Sequence, residues 1–122
     1  MSETPSLDTA FERIERLCTS RQLAEVTRST SYGTPALKVK DATFVRLLDG
    51  NTLVLQCPDE QKALLMEISP DIYFETDHYV GYPAVLVRLD AIDDEELSLR
   101  LEDAWCVKAP KRLRAQRPTA SS

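Results

Sequence analysis

The sequence contains few of the residues on which enzyme chemistry most often depends. Histidine occurs once, at His78, and a serine-nucleophile elbow, a P-loop, a dinucleotide fingerprint and an HExxH zinc motif are all absent. Any imidazole-based acid–base or nucleophilic scheme would therefore have to use His78. A structural role for this residue, capping a turn or packing against a neighbouring tyrosine, is the simpler interpretation. We expect a protein that is not an enzyme and that needs no cofactor.

Cysteine is also scarce. Cys18, Cys57 and Cys106 are odd in number, far apart along the chain and each within an apolar segment. Disulfide frameworks and zinc sites require paired or closely spaced ligands. These three residues are therefore expected to be small buried or half-buried thiols.

Long apolar runs are missing. The longest, such as residues 84–87, are far too short to cross a bilayer. Glu3 and Asp8 stand where an export signal would need basic residues and an apolar stretch. The sequence therefore predicts a cytoplasmic protein without a membrane partner. Its 122 residues, 43% hydrophobic and 29% charged, fit one domain with one core, and we expect a monomer.

The net charge of −5 is unevenly distributed. From Ala104 to Ser122 there are five basic side chains and no acid, whereas Asp90 to Asp103 contains seven acids and Arg100. A partner that is sensitive to charge would meet two different surfaces. The consecutive acids at 93–96 are the type of ligand that hard cations prefer, but the helix dipole favours acids in a first turn in any case. No metal site is predicted.

Three segments have the three-and-four spacing of amphipathic helices, at roughly residues 8–20, 59–69 and 93–109. The first has Thr9 or Ser6 as its N-cap, and the third begins with a capping box of Asp93 and Glu96. The buried face of the second is expected to be Leu64, Leu65 and Ile68. That of the third is expected to be Leu97, Leu101, Ala104 and Trp105.

Between these helices the hydrophobic period falls to two, which is typical of strands. Strands are expected near residues 26–30, 37–40, 44–48, 52–57, 72–76 and 85–89, with a hairpin turn at Asp49-Gly50-Asn51. The element order is therefore α-β-β-β-β-α-β-β-α. The fold class that it predicts is α+β, a single antiparallel sheet with the N- and C-terminal helices packed on one face.

The same alternation predicts a basic surface. If the aliphatic residues of the strands face the helices, the basic residues between them must share the opposite, open face of the sheet. These residues are Lys38, Lys40, Arg46 and Arg88. With Tyr32 close by, such a surface can neutralise phosphates and stack on bases. The alternative is a plain solvated face, because lysine on a strand also discourages edge pairing.

Three segments resemble the MmcQ/YjbR-like family of small bacterial α+β proteins. They are SYGTPALKV at 31–39, HYVGYP at 78–83 and APKRL at 109–113. The resemblance covers nearly the whole chain and implies a single domain over residues 1–115 with a frataxin-like arrangement. Ala84 departs from the larger aromatic residue expected at that position. Residues 116–122 are expected to be a disordered tail.

The resemblance also implies weak DNA binding, a role that was attached to the family through a comparison of folds. The residues to which it points are Lys38, Lys40, Arg46, Arg88, Lys111 and Arg112. An alternative use of the same motifs is a noncatalytic module that binds another protein or a small ligand on a loop surface. That surface would consist of Tyr32, His78, Tyr79 and Tyr82.

Overall fold

The computed structural model describes residues 7–31 and 33–116. Its elements are α1 (Leu7–Ser20), β1 (Val26–Ser31), β2 (Thr34–Val39), β3 (Ala42–Leu47), β4 (Thr52–Gln56), α2 (Asp59–Ile68), β5 (Tyr73–Phe74), β6 (Ala84–Arg88), α3 (Asp94–Lys108) and α4 (Lys111–Gln116), with a 3-10 turn at Asp77–Tyr79. This is the predicted order with one addition, α4, which follows Pro110. Most of the predicted tail, residues 117–122, lies outside the described residues.

The six strands form one antiparallel sheet in the order β1-β2-β3-β4-β6-β5. The first four strands follow one another through short turns, whereas β6 returns beside β4 and leaves the two-residue β5 at the edge. Helices α1 and α3 pack against each other, and α3 also packs on β3 and β4. The predicted α+β class, with the terminal helices on one face of an antiparallel sheet, is confirmed. Among the described helices, none has the length and apolar character of a membrane span.

The main core lies between this face of the sheet and the helices. Helix α3 begins as predicted, since the Asp93 carboxylate accepts a hydrogen bond from the backbone N–H of Glu96 at 2.8 Å. Its predicted inward face is also confirmed, because Leu97, Leu101, Ala104 and Trp105 are all buried. The Trp105 indole N–H donates to the Ala24 carbonyl oxygen at 3.0 Å, which joins α3 to the segment before β1.

Helices α1 and α2 differ from the prediction. Because α1 begins at Leu7, Thr9 lies inside the helix and is not its N-cap, and Ser6 is outside the described residues. In α2, Leu65 is buried as expected, but Leu64 and Ile68 are 52% and 66% exposed. The residue of α2 that is buried together with Leu65 is Lys62. A hydrophobic pattern assigns lysine to solvent, so it selects the wrong face of this helix.

A bulge changes the phase of β3. Leu37 pairs with Val45 and Lys38 pairs with Thr43, so Phe44 is the extra residue. Phe44 is fully buried in the main core, whereas strict alternation places it on the opposite face. The bulge also brings Thr43 onto the same face as Arg46, which pairs with Ala36.

The middle of the sheet is covered on both faces, which corrects the expectation of an open second face. Residues 53–55 of β4 and 84–87 of β6 are buried consecutively, whereas a strand with one solvated face shows alternating burial. The second face, which is the one away from the helices, carries a small apolar cluster of its own. Its buried members are Val54, Ala84 and Leu86, and Leu48, Phe74 and Tyr79 pack against them.

Candidate ligand pocket

A cavity of about 370 Å³ lies on the second face of the sheet, against the loop that runs from Glu75 to Pro83. We call this segment the 75–83 loop. The described residues that line the cavity are Thr43, Arg46, Val54, Gln56, His78, Tyr79, Tyr82, Pro83 and Ala84. The strands supply the floor, where Ala84 adds only a methyl group, and the loop supplies an aromatic wall. The volume falls in the range of small-molecule sites.

Arg46 gives the pocket its charge. Its Nη1 donates to the Tyr79 hydroxyl oxygen at 3.0 Å, so the tyrosine orients the guanidinium. Arg46 is the one permanently charged side chain among the described lining residues, and no carboxylate is among them. A guanidinium offers a planar fork of donors that matches carboxylate and phosphate groups. The charge of the described lining therefore suits an anion.

The aromatic wall is a cluster of three rings. The centroids of His78 and Tyr79 are 4.9 Å apart, those of Tyr79 and Tyr82 are 6.0 Å apart, and both pairs are nearly perpendicular. This edge-to-face geometry is favourable between π-systems. Gly81, with φ +83°, lets the chain turn just before Tyr82, which is 52% exposed at the rim. The wall thus offers ring edges and faces to a planar ligand.

Lys62 fastens the 75–83 loop to α2. This lysine is only 5% exposed, and its Nζ lies 2.7 Å from a carboxylate oxygen of Glu75. It also donates to the carbonyl oxygens of Tyr79 at 2.9 Å and Tyr82 at 3.0 Å. An ammonium has three N–H donors, and here each has an acceptor.

Lys62 was not predicted as a site residue, although one signal in the sequence could have identified it. The residue stands three and four positions before Leu65 and Met66, which is the spacing of one helical face. Both of those residues contact the main core. A lysine in phase with such a stripe is a candidate for a buried ammonium with acceptors nearby.

Three of the six predicted nucleic-acid residues share the second face. In the strand ladders, Lys38 is opposite Thr43, Arg46 is opposite Val54 and Arg88 is opposite Thr52. Arg46 lines the pocket. Arg88 lies near the β5 edge, with its guanidinium carbon 4.1 Å from the centroid of the Phe74 ring.

The other three predicted cations lie elsewhere. Lys40 is not in a strand but in the β2–β3 turn, with φ 56°, and its Nζ is 3.7 Å from a carboxylate oxygen of Glu25. Lys111 and Arg112 are exposed on α4, and that helix is anchored on the helical side of the sheet, where Leu113 enters the main core. The structure therefore does not join all six into one surface.

Three of the four residues of the predicted loop surface lie close together. His78, Tyr79 and Tyr82 come together in one wall of the pocket, as the loop-surface alternative requires. Tyr32 lies outside the described residues. Arg46, one of the six residues of the nucleic-acid prediction, lines the same pocket as these three loop residues.

The acidic run at 93–96 serves the helices. Asp93 caps α3, and Asp94 accepts hydrogen bonds from Arg13 at 2.7 Å and Arg16 at 3.2 Å. Within the described part of the chain, no three histidine, cysteine or acidic side chains are grouped as a metal ion would require.

Comparison with known proteins identifies the family. The family model described as YjbR matches residues 21–107, which include every described residue that lines the pocket. Uncharacterized proteins of Mycobacterium bovis and of two strains of Mycobacterium tuberculosis are each 42% identical to the chain over 65 residues, or 52% of this chain. The chain spans about half the length of these curated relatives. No solved structure gives a significant match. Since the family model covers well over half of the sequence, the chain belongs to the YjbR family.

Proposed function

We propose that this protein is a noncatalytic binding module whose pocket holds a small molecule with a planar ring and an anionic group. The observation that carries the proposal is the position of Arg46, a guanidinium in a ring-lined cavity whose described lining has no carboxylate. The anionic group contacts Arg46, with Thr43 and Gln56 as further hydrogen-bonding side chains. The ring packs against Tyr79 and Tyr82.

The described lining also favours binding over catalysis. His78 contacts the rings of Tyr79 and Tyr82, and no carboxylate or thiol is among the described lining residues to act with it as a base–nucleophile pair. A geometry of this kind provides charge, shape and stacking, which are the components of recognition.

Calorimetric titration of the purified protein with matched probes tests the proposal. The anionic probes are adenosine 5′-monophosphate and benzoate, and the neutral counterparts are adenosine and benzamide. We expect each anion to bind more tightly than its neutral counterpart. Arg46→Gln should weaken the binding of both anions by about tenfold or more, since a hydrogen bond to a charged group contributes roughly 1.5–3 kcal/mol.

Arg88→Gln is the matched control, because it removes the same charge from the same face but outside the described pocket lining. It should leave the affinity for both anions unchanged. The proposal fails if neither anion binds at millimolar concentration, or if Arg46→Gln and Arg88→Gln weaken binding equally.

A second function, weak binding of DNA, is favoured by one observation. Lys38, Arg46 and Arg88 share the second face of the sheet, and the rings of Phe74 and Tyr79 pack on the same face. Cations and rings together suit a single strand, whose phosphates and unstacked bases are both accessible. A net charge of −5 opposes a duplex more strongly, because its phosphates are more densely spaced.

A salt titration with oligothymidylate checks this second function. For three phosphate contacts the affinity should fall by about tenfold or more between 50 and 200 mM salt. The double variant Lys38→Glu/Arg46→Glu should abolish binding of the oligothymidylate. The control Lys111→Glu/Arg112→Glu, on α4, should still bind it. If the Lys38/Arg46 double variant still binds the oligothymidylate, or if binding does not depend on salt, the sheet face is ruled out as the binding surface.

A further inference from the structure

We infer that Lys62 is the positioning residue of the pocket: its ammonium serves as an internal cation around which the 75–83 loop is folded. The inference deepens the proposed function and depends on it for one of its two readouts, ligand affinity. The other readout, the position of the loop rings, requires no ligand.

The three acceptors of Lys62 come from well-separated points of the loop. Glu75 lies at its start, Tyr79 ends the 3-10 turn, and Tyr82 stands two residues before β6. One ammonium therefore fixes the loop at three points. The two residues that give carbonyl oxygens to Lys62 are also two that give rings to the pocket.

The other backbone hydrogen bonds of the loop set its internal shape. Tyr79 N–H donates to the Thr76 carbonyl at 2.8 Å, and Tyr82 N–H donates to the Tyr79 carbonyl at 3.0 Å. At its far end, the Pro83 carbonyl accepts from Cys57 N–H at 2.9 Å. These bonds close turns and tie one end, whereas Lys62 ties the aromatic middle of the loop to α2.

Removal of the ammonium takes one polar contact from each of its three acceptors. Glu75 is partly exposed and can turn towards water. The carbonyl oxygens of Tyr79 and Tyr82 each keep one backbone donor, the N–H groups of Tyr82 at 3.0 Å and of Ala84 at 2.8 Å, but each loses a hydrogen bond from a charged donor. The aromatic middle of the loop then loses its hydrogen bonds to α2, so we expect the rings of Tyr79 and Tyr82 to shift.

Chemical rescue tests this role. Lys62→Ala removes three methylene groups and an ammonium, which together are the atoms of n-propylammonium. We expect the variant to lose the Tyr79–Tyr82 ring contacts in NMR spectra and to bind adenosine 5′-monophosphate about tenfold or more weakly than the wild-type protein. Addition of n-propylammonium should restore both readouts, whereas the neutral 1-propanol should restore neither.

Two further variants keep the test decisive. Lys108→Ala makes the same truncation at an exposed position and should leave the ring contacts and the affinity unchanged. Lys62→Met keeps most of the side-chain volume without the charge, and it stands in for Lys62→Ala if circular dichroism shows that the alanine variant is unfolded. Unchanged ring contacts in Lys62→Met overturn the inference, as does equal rescue by 1-propanol, because packing alone would then hold the loop.

The outcomes separate this inference from the proposed function. If the wild-type protein binds neither anionic probe but n-propylammonium still restores the rings of Lys62→Ala, the role of Lys62 stands and the ligand proposal fails. If the wild-type protein binds the anions and Lys62→Met binds them equally well with its rings in place, the ligand proposal stands and the role of Lys62 is refuted.

Discussion

Burial determines what the thiols of this protein can do. Cys18 and Cys57 are buried, and Cys106 is half-buried, as the sequence predicted. Desolvation, with a contribution from Glu15, raises the pKa of Cys18 to about 12. Desolvation is also the main cause that raises the pKa of Cys57 to about 11. Because the thiolate is the reactive form, both residues are expected to be inert at neutral pH.

The raised pKa of Cys18 predicts a loss of stability in alkali. Its pKa in the folded state is above that of an unfolded thiol, so its contribution is complete below about pH 8.5 and is lost as the pH rises towards 12. Near pH 10 this loss of stability reaches about 2 kcal/mol. Urea unfolding from pH 7 to pH 10 should therefore show a smaller alkaline decline in Cys18→Ala than in the wild-type protein. Parallel curves would contradict the prediction.

Individual residues were predicted with uneven success. Arg46 and the three loop aromatics were identified from strand phase and from family motifs, and they meet in the structure. Lys62 was missed because its acceptors are two carbonyl groups and a carboxylate that lie 13 to 20 positions further along the chain. A local pattern contains no information about such partners.

At the scale of elements, one side chain clamps α1 to the start of α3. The Arg13 guanidinium donates to an Asp94 carboxylate oxygen at 2.7 Å and to the carbonyl oxygens of Leu89 at 2.8 Å and Ile92 at 2.7 Å. Arg13 thus supplies hydrogen-bond donors to two carbonyl oxygens of the connection between β6 and α3, as well as to the first residue of α3. The hydrogen bond from Arg13 is the main cause that lowers the pKa of Asp94.

This clamp predicts unequal costs for its members. Arg13→Ala should lower the free energy of unfolding by about 2–3 kcal/mol, because it leaves two carbonyl groups without their donor. Asp94→Asn should cost less than about 1 kcal/mol, since that carboxylate is 53% exposed. Its contribution exists above the usual aspartate pKa and is lost as the pH falls below it, so the cost should shrink at pH 3.

Urea denaturation measures these costs, with Arg16→Ala as the control. Arg16 also pairs with Asp94, but at 3.2 Å and with a side chain that is 64% exposed, so its removal should change stability little. If Arg16→Ala costs as much as Arg13→Ala, the bonds to Leu89 and Ile92 are not the source of the clamp's strength.

Elements were predictable where local rules decide them. The capping box of Asp93 and Glu96 and the stripe that ends at Trp105 placed α3 correctly. The face of α2 was wrong because a buried ammonium occupies a position that pattern rules give to solvent. In β3 the bulge at Phe44 breaks the period of two, and no residue type in that strand indicates a bulge.

At the scale of the whole molecule, the fold followed from the order of elements, but the charged surface did not. Alternation along each strand placed Lys38, Arg46 and Arg88 on one face. It could not show that α4 packs on the helical side with Lys111 and Arg112, because the position of α4 depends on the burial of Leu113 in the main core. It also could not show that Tyr79 and Phe74 cover the sheet beneath, since these contacts join distant parts of the sequence.

The double burial of β4 and β6 has a consequence for the proposed recognition of a ligand. These strands form both the central scaffold of the molecule and the base on which a ligand would rest, so substitutions there affect folding and selectivity together. The aromatic side of the site belongs to a segment with its own tether. New selectivities can therefore arise by exchanging rings between Thr76 and Pro83, while the architecture underneath stays the same.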